Sequence, residues 1–359
     1  MSIWRFADRF SSVPAASRVT RGEGNTPLVR STRIGPALGV DRLYFKLETG
    51  NPTGSYKDRF AAAAVSDMVA RGLGRCVATS SGNTGSALAA YCAAAGIDCE
   101  IAVVEPAPPE KLKQMMAYGA RIYKVRGFGI DPNVTAEAFA RIRERGARPG
   151  AALQISAYAC SPIGMAGVQT IGYELAEQSV QEVGGPLDHV FVPAGGGGLT
   201  LAIARGFAGT GSGGRGPRIE CVQPEGNATI AAPLREGGDR ALEVACTTKI
   251  SGLQVPSVLD GHDVIAACRA SGGTGHLVRD EDVWAVQARL SREEGIFCEP
   301  AAATSVAGAL GAIARGEVSR GARVCCIITG TGFKDAPSVD RMLAGTSCPT
   351  IEVSELGVG

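Results

Sequence analysis

Short apolar runs of strand length alternate along the chain with longer, mostly Ala-rich segments that favour helices. In the first half the predicted strands are 43–47, 76–78, 100–104 and 122–125, and the predicted helices are 57–72, 85–96 and 110–119. In the second half the predicted strands are 189–193, 217–222 and 323–329, and the predicted helices are 165–178, 199–207, 280–294 and 301–314. Alternation of this kind is typical of parallel βαβ units.

The length of the chain predicts two lobes. A single hydrophobic core rarely serves 359 residues. The strand–helix alternation begins a second run near residue 161, so we place the lobe boundary near residue 160. The fold class predicted is α/β, with a mainly parallel, twisted sheet flanked by helices in each lobe.

Composition narrows the classes of protein. Hydrophobic residues make up 45% of the chain, charged residues 20%, and the formal net charge is +1, so neither nucleic acid nor a membrane is an expected partner. No signal peptide or membrane-spanning run is recognisable, and we expect a cytoplasmic protein. The 11 cysteines are scattered without a CxxC pair, and the three histidines lie far apart, so we expect reduced thiols and no metal site.

The segment NPTGSYKDR (residues 51–59) places Lys57 in the first turn of a predicted helix. The positive end of the helix dipole and burial both lower the pKa of an amine, which suits a lysine that forms a Schiff base. The alternative is a surface lysine paired with Asp58 or Glu48.

Two turns between a strand and a helix are candidate anion sites. The hydroxyl and backbone N–H groups of SSGNTG (residues 80–85) suit a carboxylate, although a serine N-cap with a glycine turn explains the motif equally well. In PAGGGGL (residues 193–199), four glycines let backbone amides converge on one phosphate. A flexible linker is disfavoured there, because the flanking strand and helix are strongly patterned.

Two further motifs lie at predicted strand ends, where open α/β sheets bind ligands. TGTGFKD (residues 329–335) follows the last strand, and the hydroxyl of Thr329 is a candidate partner for a ring nitrogen. EGIFCEPAAA (residues 294–303) places Glu299 just before a helix that begins with proline, where a helix-capping acid is the alternative.

These five motifs, in this order and together with GEGNTPLV (residues 22–29), resemble the fold type II pyridoxal-phosphate (PLP) enzymes, also called the tryptophan synthase β family. Within that family the chain is most similar to the threonine synthases, and the resemblance spans nearly its whole length. It implies a smaller lobe at 46–160, a larger lobe at 1–45 and 161–359, PLP between the lobes, a small amino-acid substrate and a homodimer.

The resemblance also implies roles for individual residues. Lys57 would carry PLP as a Schiff base and act as general acid and base. The other implied cofactor-binding residues are Asn83 at the 3′ oxygen, Gly195, Gly196, Gly197, Gly198 and Leu199 at the phosphate, Thr329 at the pyridine nitrogen, and Glu299. The implied substrate-binding residues, which hold the carboxylate, are Ser80, Ser81 and Thr84.

The sequence departs from the threonine synthases at two places. Gly164 stands where those enzymes carry an arginine that grips the substrate phosphate, and PAGGGGL is more similar to the serine/threonine dehydratases. A threonine-synthase reaction is the first expectation. Dehydratase-like β-elimination and a β-replacement synthase of the cysteine or cysteate kind remain open, and a non-catalytic binding protein is disfavoured by Lys57 and the glycine run.

Overall fold

The structure is a computed structural model that describes residues 2–107, 109–211 and 216–356. The strands are β1 Leu28–Arg30, β2 Leu43–Leu47, β3 Arg75–Thr79, β4 Asp98–Val104, β5 Arg121–Val125, β6 Ala151–Gln154, β7 His189–Pro193, β8 Arg218–Pro224, β9 Gly275–Val278 and β10 Val324–Ile328. The α-helices are α1 Ala7–Phe10, α2 Ile34–Ala37, α3 Lys57–Ala70, α4 Asn83–Ala95, α5 Pro109–Ala117, α6 Pro132–Gly146, α7 Pro162–Val168, α8 Thr170–Gln178, α9 Gly198–Ala208, α10 Ala231–Arg235, α11 Gly261–Ser271, α12 Asp280–Glu294, α13 Pro300–Ala314 and α14 Ala336–Met342.

Six strands form the larger sheet, in the order β1-β2-β10-β7-β8-β9, and only the β1–β2 pair among these is antiparallel. The central strands β7 and β10 are buried along their whole length, as parallel strands covered on both faces are. Their side chains alternate between two cores. Cys325 and Ile327 of β10 point to one core, and Val324, Cys326 and Ile328 point to the other.

The smaller sheet has the order β5-β4-β3-β6 and is entirely parallel. Helix α3 connects this sheet to the larger one, because it packs against both α4 and α7. The contact with α7 is close because small side chains meet there, with Ala64 of α3 facing Gly164 of α7. The core that covers one face of the larger sheet therefore continues without interruption into the smaller sheet.

The α/β fold class with two mainly parallel sheets flanked by helices is confirmed. The division at residues 46 and 160 stays a prediction. Strand β2, whose last two residues lie inside the predicted smaller lobe, belongs to the six-stranded sheet. The helix predicted at 165–178 is two helices, α7 and α8, that meet at Gln169.

The elements that were not predicted from the sequence include α6, β6, α11 and β9. Helix α6 carries five charged residues and buries only Ala138, Ile142 and Gly146, so its apolar stripe is too thin to be recognised. Strands β6 (AALQ) and β9 (GHLV) have four residues each and include small or polar residues, so neither forms a continuous apolar run. Among the described residues, no helix is both long and apolar enough to cross a membrane.

A fully buried cluster of two cations and two anions joins α3 to β2, to the segment after β2 and to α8. The Arg59 guanidinium holds Glu48 at 2.8 Å on one side and Glu174 at 2.7 Å on the other, and Lys46 Nζ lies 2.8 Å from Glu174. These cations hold the pKa of the Glu174 carboxyl well below its usual range, although burial opposes them. The four formal charges sum to zero, which is the condition for burying them together.

We expect Glu174→Gln to lower the free energy of unfolding by about 3–5 kcal/mol, because the buried Arg59 and Lys46 then lack a matching charge. Urea unfolding of the full-length protein measures this change. The control is Glu137→Gln, which removes an exposed ion pair with Arg141 and should leave stability close to that of the unaltered protein. Equal stability of the two variants would contradict the expectation.

Candidate active site

Lys57 begins α3 beside the carboxyl end of β10. The backbone N–H of Tyr56 donates to Thr329 O at 3.0 Å, and the N–H of Thr331 donates to Gly54 O at 3.0 Å. Ser55 and Gly330 form an isolated antiparallel bridge between the same two segments. The loop before α3 is therefore attached to the loop after β10, which brings the first and the fourth of the sequence motifs together.

The Lys57 amine is half-buried and held by one hydroxyl. Its Nζ donates to Ser156 Oγ at 2.6 Å and lies 4.5 Å from the centre of the Tyr56 ring. Desolvation lowers the pKa of Lys57 to about 8, and the carboxylates of Glu299 and Asp260 oppose this shift only in part. A neutral amine is thus accessible near physiological pH, as a nucleophilic lysine requires.

The alternative of a surface lysine paired with Asp58 or Glu48 is wrong. Asp58 accepts hydrogen bonds from the backbone N–H and the hydroxyl of Thr53, at 3.0 and 2.9 Å. Glu48 is engaged by Arg59. Both carboxylates are therefore committed to the support of α3 rather than to Lys57.

Ser156 connects Lys57 to the start of α4. Its Oγ lies 3.1 Å from Thr84 Oγ1, so Lys57, Ser156 and Thr84 form a continuous polar chain. Ser156 was not predicted from the sequence. It lies in the loop after β6, and neither that strand nor any motif in that loop was recognisable. Of the predicted carboxylate-binding residues, Thr84 is therefore directly connected to the lysine through one hydroxyl.

Ser80 and Ser81 lie in the turn before α4 and are half-buried. Ser80 Oγ accepts a 3.2 Å hydrogen bond from the N–H of Gly82, which is itself the N-cap residue of α4. Neither serine therefore caps the helix in the usual way, and their contribution to carboxylate binding stays a prediction.

Glu299 accepts hydrogen bonds from the side chains of both Asn83 and Thr329, two residues for which the resemblance implies contacts with the cofactor. Asn83 Nδ2 donates to both carboxylate oxygens at 3.0 Å, and Thr329 Oγ1 donates to Oε1 at 3.2 Å. Burial raises the pKa of Glu299. Glu299 precedes α13 but its side chain makes no capping hydrogen bond to that helix, so the helix-capping interpretation is wrong.

The glycine turn between β7 and α9 is fixed by packing and leaves its amides available. Gly197 has φ +93°, and a Cβ there would lie 2.6 Å from Val264 Cγ2. A Cβ on Gly196 would lie 2.9 Å from Leu259 Cδ1. Within the described part of the chain, the N–H groups of residues 195–199 donate to no protein oxygen. Thr200 Oγ1, in the first turn of α9, is buried and has no hydrogen-bond partner among the described residues.

Asp260 fastens this turn to the loop that carries Ser156. Its N–H donates to Gly196 O at 3.2 Å, while its carboxylate accepts from the backbone N–H groups of Tyr158 and Ala159 at 2.8 and 3.0 Å. Burial raises the pKa of the Asp260 carboxyl. Asp260 therefore holds the loop that carries Ser156 against the glycine turn that carries the free amides.

These features fit a small anionic cofactor with a reactive carbonyl. A glycine turn with uncommitted amides, followed by a helix N-terminus, suits a phosphate, and a half-buried amine of lowered pKa suits a carbonyl carbon. The fold and the site define an enzyme that holds a phosphorylated aldehyde on a lysine. The chain belongs to the family of pyridoxal-phosphate dependent enzymes, which it matches over residues 19–330, and PLP is its cofactor.

The chain is similar in sequence to threonine synthases. The chain is 33% identical to the threonine synthase of Methanosarcina acetivorans, over 94% of this chain and 81% of that protein. It is 31% identical to that of Methanocaldococcus jannaschii, over 95% of this chain and 82% of that protein. These similarities identify the chain as a PLP-dependent lyase.

Solved structures share the fold at lower identity. A processed threonine deaminase isoform from Solanum lycopersicum superposes with a TM-score of 0.74 at 21% identity, covering 96% of this chain and 94% of that one. An O-ureido-L-serine synthase superposes with a TM-score of 0.69 at 23% identity, covering 91% and 95%. The superpositions establish the fold and do not identify the substrate.

We expect PLP to react with Lys57 of the cofactor-free protein, with an initial rate that rises with pH through about 8. The lowered pKa of Lys57 means that the neutral, nucleophilic amine becomes the major form above that pH rather than above the ordinary value of 10.5. Borohydride trapping followed by peptide mapping measures the rate, and exposed Lys113 is an internal control. Preferential labelling of any other lysine would disprove the assignment.

We expect Gly197→Ala to weaken PLP binding by about tenfold or more, because a Cβ at this positive φ strains the turn and strikes Val264. Retention of PLP absorbance after dialysis measures the loss. The control is Gly295→Ala, which also alters a positive φ but has open space around its Cβ. An equal loss of PLP in both variants would show that backbone strain in general, rather than the glycine turn between β7 and α9, is responsible.

Proposed function

We propose that this enzyme catalyses a threonine-synthase-like reaction, in which a leaving group departs from Cγ of a small amino acid and water adds at Cβ. The best single candidate substrate is O-phosphohomoserine. The observation that carries the proposal is the similarity to threonine synthases over almost the whole chain. In the structure of this chain, the motif residues Asn83, Glu299 and Thr329 meet beside Lys57.

Bound PLP supplies an electron sink for the carbanion formed at Cα. The chain supplies the proton transfers. Lys57 Nζ takes the proton from Cα and returns protons to the carbon skeleton, and its pKa of about 8 allows both directions near neutral pH. Ser156 Oγ orients the amine through its 2.6 Å hydrogen bond. Lys57 is therefore the proposed catalytic residue and Ser156 a positioning residue.

The proposed cofactor contacts rest on the resemblance to the PLP enzymes. Asn83 binds the 3′ oxygen, the amides of residues 195–199 bind the phosphate, and Thr329 faces the pyridine nitrogen. Thr329 is neutral and does not hold that nitrogen protonated as an aspartate would, which suits elimination and replacement over transamination. Ser80, Ser81 and Thr84 bind the substrate carboxylate at the start of α4, where the helix dipole favours an anion.

Position 164 contributes no cation to the substrate phosphate. A Cβ on Gly164 would lie 2.6 Å from Phe60 Cε2 and 3.0 Å from Ala64 Cβ, so the α3–α7 contact excludes any larger side chain. Arg59 is also removed as a replacement, because Glu48 and Glu174 engage it completely. Lys113 is exposed on α5.

Two other lysines are candidates for binding an anionic tail. Lys111 Nζ donates to Ser251 Oγ at 2.6 Å and lies 3.3 Å from Asp335 Oδ2. Lys334 Nζ donates to Gln114 on the same helix, α5, and burial lowers its pKa while the nearby Glu299 opposes this shift. We propose that Lys111 and Lys334 together replace the arginine absent at Gly164.

The closed surroundings of Gly164 also favour a second candidate function. Without an arginine clamp, a smaller substrate can undergo β-elimination, as in a serine/threonine dehydratase, or β-replacement, as in a cysteine or cysteate synthase. Both reactions would use the same Lys57, the same glycine turn for the cofactor phosphate and the same turn before α4 for the substrate carboxylate. A role as a non-catalytic binding protein is the weakest proposal, because the amine at the site keeps a nucleophilic pKa.

The wider organisation is proposed from the resemblance. Residues 46–160 form the smaller lobe, residues 1–45 and 161–359 form the larger lobe, and PLP lies between them in a homodimer. All 11 cysteines are free thiols, which supports a reducing compartment such as the cytoplasm. Sedimentation of a stable monomer at micromolar concentration would remove the dimer.

We expect Lys111→Met and Lys334→Met each to raise KM for O-phosphohomoserine by about tenfold or more, the loss typical of a charge-assisted hydrogen bond. Steady-state threonine and phosphate release measure this effect, with Lys113→Met as the matched control on α5. Turnover of serine and threonine should change little in all three variants. Efficient threonine formation that is insensitive to Lys111 and Lys334 would overturn the proposed tail site, and deamination of serine alone would support the dehydratase alternative.

A further inference from the structure

Three cysteines form a buried cluster away from the proposed active site. Cys76 lies on β3, Cys92 on α4 and Cys99 on β4, and their sulfur atoms all lie within 4.8 Å of one another. Cys76 and Cys92 are fully buried, and Cys99 is 7% exposed. The spacing of 15 and 6 intervening residues matches no familiar ligand motif, which is why sequence analysis predicted no metal site.

The fold itself brings the three thiols together. Cys76 and Cys99 are direct partners in the parallel pairing of β3 and β4. Helix α4 packs on both strands and places Cys92 over this pair. The thiols therefore come from three separate elements of the smaller sheet and are fixed by its packing, rather than carried on a mobile loop.

The surroundings of the cluster are apolar. The three cysteines belong to a core that also contains Ala78, Leu88 and Ile101. Among the described residues, no lysine or arginine makes a hydrogen bond or ion pair with any of the sulfur atoms. A ligand bound here must therefore leave little net charge, because an uncompensated buried charge is costly.

Charge balance selects the class of ligand. Three thiols become three thiolates when they bind a soft ion. With three thiolates, copper(I) would leave a net charge of −2 and zinc(II) a net charge of −1. A trivalent thiophilic centre cancels the three thiolate charges and leaves a neutral complex, so it is the ion that this apolar site accepts at least cost.

We propose that Cys76, Cys92 and Cys99 form a binding site for trivalent arsenic or antimony. The incoming species is the neutral hydroxide, for example As(OH)₃, which reaches the core more easily than a hydrated cation and enters at Cys99. Three As–O bonds break and three As–S bonds form. The three thiol protons leave with the hydroxides as three waters, and no atom changes oxidation state.

Binding at this site would join β3, α4 and β4 covalently through one atom. Helix α4 begins at Asn83, so the joined unit carries one of the proposed cofactor contacts at its end. A ligand that binds the folded chain more tightly than the unfolded one raises its stability. We therefore expect arsenite to raise the unfolding temperature of the protein.

Native mass spectrometry of the full-length protein with arsenite tests the proposal. The expected adduct gains one arsenic atom and loses three protons. A surface adduct on two thiols keeps one hydroxide and is heavier by one water, so the two modes are distinguishable. X-ray absorption of the unaltered protein should show three sulfur neighbours around arsenic. A predominant two-sulfur adduct would overturn the proposal.

Matched variants separate this cluster from the other thiols. Cys92→Ala should weaken arsenite binding by about tenfold or more. Cys268→Ala removes an equally buried thiol on α11 outside the cluster and should leave binding unchanged. Equal affinities of the two variants would place arsenite elsewhere. If Cys92→Ala does not fold, the sulfur count from the unaltered protein still decides the question.

Discussion

The neutralisation of one buried guanidinium sets the position of the proposed catalytic amine. Arg59 lies in the core without contact with water, so the fold must bring Glu48 and Glu174 to it from outside α3. Lys57 is two residues away on the same helical turn. Its position therefore follows from charge matching in the core as much as from the loop before it. The same carboxylates also hold the segment around Asn25, whose N–H donates to Glu174 at 2.7 Å, and so the GEGNTPLV motif has a structural role.

Local patterns predicted the features whose cause is local. The strands β2, β7 and β10 are mostly apolar, and the glycine turn lies between two strongly patterned elements. The strands and the turn were therefore recognisable in the sequence. The position of Lys57 at a helix start indicated a lowered pKa, and burial at that position is the larger cause. Resemblance to a family then placed Asn83 and Thr329 near one another, and the structure has both at the Glu299 carboxylate.

Features that depend on distant partners were beyond the sequence. Ser156 and Asp260 occur in unpatterned loops, and each matters only because the fold brings it against Lys57 or the glycine turn. Arg59 is identified as a structural residue only by its two carboxylate partners, which come from outside α3. Gly164 was recognised as a departure from the threonine synthases, but the reason that no side chain fits is Phe60, more than a hundred residues earlier.

The bridges between Ser55 and Gly330 and between Cys298 and Thr331 unite three segments at the end of β10. Lys57, Glu299 and Thr329 consequently belong to one rigid assembly, whereas Lys111 and Gln114 belong to a separate helix, α5. Lys334, the other lysine proposed to bind the substrate tail, follows β10 and so belongs to the first assembly. Only the Lys111 part of the proposed tail site therefore lies on a separate helix. With the proposed tail site, a mutation of Lys111 on α5 changes the accepted tail and leaves the proposed proton-transfer residue Lys57 in place, so the scaffold can diversify among substrates without first losing activity.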